Sequence, residues 1–338
     1  MSVLLADTFT RYRRTTPMGS PNFDLDEAYV SRNASYVSSD GYLNGGTTTS
    51  QNIASCMRRL LPAPTGVLRL ALNVTNRNGR FFAAGPGDMG LALGPNAPIE
   101  LSIFNGFLRV RYSVFQGEET QSGMASVVME AGAQLVGFNE PVFLELEIDH
   151  RTNPARTRAY VNGALVIDHE YDRDVIAGAS NFPTNLFGWV AVTPRSNEPR
   201  LLDYVVWNED GEGLSHFPAG NLSVDYLTLD DPALQLPVNY FQRVTLDSTD
   251  WQEFQVQDAA PGPVHAAWLH AMVAGSDGTE PSRLGYRVSI GGQELSFEEL
   301  VAPGFNPRQV YEPLPFSLLL TENINVATVS LRRQPDES

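Results

Sequence analysis

Three carboxylates at alternate positions are the first place to look for chemistry. In Val142-Phe-Leu-Glu-Leu-Glu-Ile-Asp149, Glu145, Glu147 and Asp149 share one side of a period-two pattern, and Leu144, Leu146 and Ile148 share the other. Such alternation marks a half-buried strand. Neighbouring carboxylates on one face of a strand stand about 6.6 Å apart at about 3.3 Å per residue. Paired acids cleave glycosidic bonds at about 5–5.5 Å with retention and about 6.5–9.5 Å with inversion. The competing reading, which the pattern favours, is the solvated outer face of an amphipathic strand. On that reading Glu147→Gln changes stability by under ~0.5 kcal/mol.

The other reactive residue types form no constellation. The histidines are His150, His169, His216, His265 and His270, with neither a His-x-His nor a His-Glu-x-x-His spacing, so polar core or surface roles are expected. There is no Gly-x-Ser-x-Gly elbow for a nucleophilic serine. Asp24, Asp26 and Glu27, with Asp88, supply oxygens of the kind calcium takes, yet an aspartate-rich turn explains them as well. Cys56 is the only cysteine. It excludes an intrachain disulfide and a thiolate metal site and reads as a small core hydrophobe. Trp189, Trp207 and Trp268 lie in apolar runs suited to packing. Trp251, in Ser248-Thr-Asp-Trp-Gln252, is flanked by polar residues and is the candidate contact for a carbohydrate or a partner protein. No catalytic residue, metal ligand or cofactor is expected.

The elements that must position these residues are short strands. Turn signals recur at Asp40-Gly41, Asn44-Gly45-Gly46, Asn78-Gly79, Asn105-Gly106 and Asn162-Gly163. Asn-Gly supplies the positive φ angles of a two-residue type I′ hairpin. Asn162-Gly163 therefore joins 158–161 to 164–168, and with 142–149 predicts a three-stranded antiparallel meander. Asn105-Gly106 likewise joins 100–104 to 107–114, with Leu108, Val110, Tyr112 and Val114 facing one way. Buried strands are expected at 67–74, 189–193 and 201–207. The 28 glycines and 23 prolines are spread along all 338 residues, and no sustained helical spacing occurs, which suits a sandwich or barrel.

This length predicts two domains. Pro232 and Pro237 bracket a linker at 231–237. The second domain restarts at 240–246, continues through 264–273 as a buried strand, folds a hairpin at Gly291-Gly292, and closes with strands at 316–320 and 324–331.

Net charge is −16, and all 23 basic residues are arginine. An acidic chain without a basic stripe argues against binding to a nucleic-acid backbone. Missing lysine fits surfaces built on fork-shaped Arg–carboxylate pairs, although coding bias accounts for it more simply. No basic region precedes an apolar run at the start, and no apolar run reaches ~18 residues. Neither secretion nor a membrane span is expected.

Asp7-Thr-Phe9, the run 145–149, Ala159-Tyr-Val-Asn-Gly-Ala-Leu-Val166 and Leu202-Asp-Tyr-Val-Val-Trp-Asn-Glu-Asp-Gly211 together resemble concanavalin-like, laminin-G-like jelly rolls. Phe217-Pro-Ala-Gly220 followed by Leu222-Ser-Val-Asp-Tyr-Leu227 is similar to a run in tailed-bacteriophage virion proteins, where it precedes a second β-domain. The resemblance covers nearly the whole chain and rests on the order of the pieces. The Glu-x-Glu-x-Asp order departs from the Glu-x-Asp-x-Glu of laminarinase-like jelly-roll enzymes.

The resemblance implies an all-β protein: a concanavalin-like jelly-roll sandwich over 1–230, a linker at 231–237 and a smaller β-sandwich domain over 238–338. It implies a structural component of a tailed-phage particle, such as a tail fibre, baseplate, adaptor or capsid-attached protein. Such a protein is made in the host cytoplasm, resides in the virion, forms a homo-oligomer and meets other virion proteins. A lectin-like module binding a host surface glycan is the alternative, and a jelly-roll glycoside hydrolase the third reading.

Overall fold

The computed structural model describes residues 3–8, 36–37, 43–44, 57–85, 99–115, 124–132, 134–135, 137, 139–173, 186–192, 200–209, 214, 216–220, 222–224, 227, 229–230, 249–256, 264–273, 282–290, 292–301, 308–314 and 327–333. Asp24, Asp26, Glu27, Cys56 and Asp88, the linker 231–237 and the strands expected at 240–246 and 316–320 lie outside them. The chain divides into two compact units, residues 2–224 and 225–338. The elements given below are all strands, and among the described residues no helix is long and apolar enough to cross a membrane.

In the larger unit the strands are β1 (Val3–Thr8), β2 (Tyr36–Val37), β3 (Leu43–Asn44), β4 (Met57–Thr65), β5 (Val67–Thr75), β6 (Gly79–Gly85) and β7 (Ile99–Phe104). They continue with β8 (Phe107–Phe115), β9 (Met124–Glu130), β10 (Pro141–Asp149), β11 (Ala155–Val161), β12 (Ala164–Tyr171), β13 (Phe187–Val192) and β14 (Leu201–Trp207). One sheet runs β12-β11-β10-β5-β14-β3-β2, with β1 also paired to β14, and the other runs β4-β13-β6-β7-β8-β9. All recorded pairs are antiparallel, and the unit is a concanavalin-like jelly-roll sandwich.

Its core follows from alternation. Leu68, Leu70, Leu72 and Val74 of β5 meet Leu144, Leu146 and Ile148 of β10, and Leu108, Val110 and Tyr112 of β8 face them from the second sheet. The predicted meander is β10-β11-β12. Asn162 and Gly163 take φ of 48° and 81°, the left-handed pair a type I′ turn requires. Asn162 also ties the turn down: its N–H donates to the Phe143 carbonyl at 2.8 Å, and its Oδ1 accepts from the Phe143 N–H at 3.0 Å. Asn105 and Gly106, at φ of 51° and 82°, turn β7 into β8 in the same way.

A buried polar cluster joins the two sheets. The Tyr112 hydroxyl lies 2.5 Å from Thr157 Oγ1, and His150 Nε2 lies 2.6 Å from the Tyr171 hydroxyl. The Tyr112 and Tyr171 rings pack at 4.8 Å, and Phe187 packs on His150 at 5.0 Å. Burial pushes the His150 imidazole down to about 4, and Arg173 adds to this while the charge of Asp149 opposes it. Burial likewise raises Tyr112 and Tyr171.

The smaller unit holds β15 (Leu229–Asp230), β16 (Gln252–Val256), β17 (Trp268–Val273), β18 (Ser282–Ile290), β19 (Gln293–Val301), β20 (Arg308–Pro313) and β21 (Thr328–Arg333). A five-stranded sheet runs β15-β16-β21-β18-β19, and β17 pairs with β20. Val288, Ile290, Leu314 and Val329 form its core, with Leu269 of β17 packed on them. This is the smaller β-sandwich. The strand expected over 264–273 begins only at Trp268. The hairpin expected at Gly291-Gly292 is β18-β19, with Gly292 at φ 82°.

Candidate functional site

Register brings the outward side chains of four strands together on one face of the larger sheet. Glu147 of β10 is directly opposite Arg158 of β11 on one side and Arg69 of β5 on the other. Glu145 is opposite Tyr160 and Ala71, and Arg69 is opposite Trp207 of β14. Directly opposed residues point to the same face. The acids, arginines and aromatics therefore share a single surface, opposite the apolar core.

That surface is closed, which corrects the expectation of a solvated carboxylate face. Glu145 is 1% exposed and Glu147 4%, while Asp149 is half-buried. Period two assigns a side chain to a face; it carries no information on what covers that face. The cover is residues 216–220, returning over the sheet after β14. Phe217 packs edge-on to Tyr160 at 5.4 Å and lies 6.3 Å from Trp207, which is itself fully buried. The Arg158 and Arg69 guanidinium groups lie 5.3 and 6.0 Å from the Phe217 ring centre. The Leu222 carbonyl accepts from Asn73 Nδ2 at 3.2 Å and fastens the next stretch.

Each carboxylate has a different environment. Glu147 Oε2 accepts from Arg69 Nε at 2.8 Å, and its Oε1 accepts from Arg158 Nε at 2.9 Å. Arg69 also donates to Glu209 at 2.9 Å, and Glu209 pairs with Arg151, which donates from Nε to Asp149 at 2.9 Å. Acids and guanidinium groups thus alternate across the face from Asp149 to Arg158. Burial pushes Asp149 up, but the hydrogen bonds and charge of Arg151 outweigh it and hold the carboxyl below its usual value.

Glu145 stands apart from this chain of charges. Its Oε1 accepts the backbone N–H groups of Ala219 at 2.7 Å and Gly220 at 3.1 Å, while its Oε2 is buried with no hydrogen-bond partner. Burial raises its pKa, against those two N–H groups and the charge of His216. Carboxyls whose pKa values are pushed apart, here Glu145 upward and Asp149 downward on the same strand face, are the electrostatic pattern of an acid–base pair. Here the Phe217 ring and the 219–220 backbone occupy the space a substrate needs.

The remaining sequence candidates are scattered. Trp189 and Trp207 are fully buried, Trp207 beneath Phe217 on the outer face, and Trp268 is half-buried. His150 belongs to the inter-sheet cluster, while His169 and His216 are exposed. Trp251, in the smaller unit, is half-buried, with the guanidinium groups of Arg287 and Arg332 lying 4.6 and 4.3 Å from its ring centre. Among the described residues no group of three or more His, Cys, Asp or Glu side chains could hold a metal ion. Sequence reasoning missed Arg69, Arg158, Glu209 and Phe217. The first two were in principle accessible, because a strand register pairs them with Glu147; Glu209 and Phe217 arrive from distant chain.

No family model matches the chain, and no curated protein matches it. Solved structures give low similarity. An endo-1,3-beta-glucanase from Streptomyces sioyaensis matches 60% of this chain and 88% of its own at 15% identity and a TM-score of 0.33. A legume lectin-like domain from Entamoeba histolytica matches 59% of this chain and 97% of its own at 11% identity and 0.34. An endo-beta-1,4-glucuronan lyase from Trichoderma reesei matches 49% and 81% at 14% identity and 0.34. At these values the likeness is one of β-sandwich backbones and carries nothing about activity. The fold of the larger unit is read from its own sheet order and register, which give two facing antiparallel sheets.

Proposed function

We propose that this chain is a non-catalytic, surface-acting structural component of a tailed-phage particle. The observation that carries the reading is the closed polar face. Glu147 is neutralised by two guanidinium groups, Glu145 is spent on two backbone N–H groups, and residues 216–220 lie over both. A glycosidase needs its two acids open to the sugar on both sides of the scissile bond. The covering segment is also the stretch whose sequence resembles phage virion proteins, so that resemblance and the closure of the face fall on the same residues.

Surface action also fits the cation set. Arginine forks give directional contacts to carboxylates, and the larger unit already uses them in its own pairs, such as Arg156 with Asp168 at 2.7 Å. Homo-oligomeric assembly and contact with other virion proteins belong to this proposal. A lectin-like reading keeps one specific observation in its favour, the Trp251 site of the smaller unit.

The test is direct. Mass spectrometry of purified particles is expected to find the chain, and light scattering of the isolated protein a discrete oligomer. A strictly monomeric protein absent from particles would reject the proposal. Release of reducing sugar from polysaccharide by the wild type, lost in Glu145→Gln, would replace it with the hydrolase reading.

A further inference from the structure

Among the described residues, the outer face of the five-stranded sheet in the smaller unit carries an arginine with no counter-ion. Trp251 immediately precedes β16, and because Gln252 pairs with Leu331, Trp251 stands beside Arg332. Arg332 pairs with Gly285 of β18, and Arg287 lies two residues further on the same face. Both guanidinium groups therefore meet over one indole ring. Arg287 has Glu294 at 3.5 Å. Arg332 has no carboxylate within ion-pair distance among the described residues, and its Nε is buried without a hydrogen-bond partner. Arg69, Arg109, Arg111, Arg151, Arg156 and Arg158 all face carboxylates. Cation–π contact offsets part of the cost of an unpaired guanidinium, but it leaves the in-plane N–H donors unused and places a second cation nearby.

The same alternation that sends Val288 and Val329 to the core puts Ser289 and Ser296 on this outer face, on two neighbouring strands, while Ser330, on the same side of β21, is buried. The face therefore combines two planar forks, an aromatic ring and the Ser289 and Ser296 hydroxyls. Of its acids, Glu253 and Glu294 are exposed, and register also places Glu298 on this face, opposite Gly285. They and the net charge of −16 repel a polyanion but tolerate one carboxylate on a neutral body.

The geometry points to a binding site at Trp251, Arg287 and Arg332 for a saccharide carrying a single carboxylate, of the uronic acid kind. The carboxylate takes the fork of Arg332 with support from Arg287, and the sugar hydroxyls meet the serine face. An acidic peptide offers the same carboxylate but not the hydroxyl-rich body that matches the serines. The site is independent of the particle proposal, since it is read on the isolated protein.

Titration of the full chain with xylotriose bearing one glucuronate, followed by calorimetry and tryptophan fluorescence, tests it. Binding is expected, with unsubstituted xylotriose at least about tenfold weaker, as loss of a charge-assisted contact implies. Arg332→Gln and Arg287→Gln are each expected to weaken binding about tenfold and Arg332→Lys by less, because charge remains without the fork. Arg156→Gln, in the larger unit, leaves it unchanged. Near-UV circular dichroism checks each fold, and Arg332→Lys carries the test if Arg332→Gln does not fold. Equal affinity for xylotriose, indifference to the Arg332 variants, no binding at millimolar sugar, or preference for a peptide with one glutamate would each overturn the assignment.

Discussion

Glu147 shows how far a buried acid depends on its neighbours. With Arg69 on one side and Arg158 on the other, Glu147→Gln leaves two guanidinium groups facing a neutral amide. Removing one partner of a buried ion pair typically costs about 3–5 kcal/mol, so a loss of about 3 kcal/mol is expected in urea unfolding of the full chain, where the sequence alone suggested almost none. Glu145 should behave in the opposite way. Its unsatisfied Oε2 and raised pKa make the neutral form tolerable, so Glu145→Gln is expected to be nearly neutral. Glu145→Ala, which strands the N–H groups of Ala219 and Gly220, should cost about 1–3 kcal/mol. His150 supplies a pH signature. Its folded pKa of about 4 lies below the ordinary 6.5, so the unfolded chain binds the extra proton first. The stability it contributes is fully present above pH ~6.5 and is lost as pH falls towards 4. The loss amounts to about 3 kcal/mol from a shift of this size. Chemical denaturation at pH 7.5, 6 and 4.5 should show that slope in the wild type and a flatter one in His150→Phe.

Strands and hairpins are where the sequence was most readable, because their determinants are local. Alternation over eight residues fixed the faces of β8 and β10, and Asn-Gly fixed two turns. At φ +81° and with open space around its Cβ position, Gly163 should resist alanine for backbone reasons alone, at about 1 kcal/mol. Gly85→Ala should cost more, because the new methyl would stand 2.4 Å from Trp189 Cζ2 on the paired strand. Overpacking of this kind runs to about 1–3 kcal/mol, and thermal melts of the two variants should rank in that order. What the sequence concealed was the cover on the large sheet. Phe217 meets Tyr160 across more than fifty intervening residues, and nothing in the local pattern of either marks the contact. The Trp251 site was half-legible: its polar flanks flagged an exposed aromatic, while Arg287 and Arg332 became visible only once β16, β21 and β18 were in register.

For the whole molecule, the division between residues 224 and 225 bears on how the chain responds to cutting. A fragment ending at residue 230 retains both sheets and the full core of the larger unit, so it should unfold in one cooperative calorimetric transition. A broad melt would show that the larger unit needs the rest of the chain. The alternating charges from Asp149 to Arg158 have a further consequence, for how this protein can change over generations. Replacing Glu147, Arg69 or Arg158 singly strands the others, but replacing buried ionic groups together with well-packed apolar residues is often neutral or stabilising. The three positions are therefore strongly epistatic. A lineage carrying this fold would keep all three or lose all three, and intermediates with one or two should be rare among its descendants.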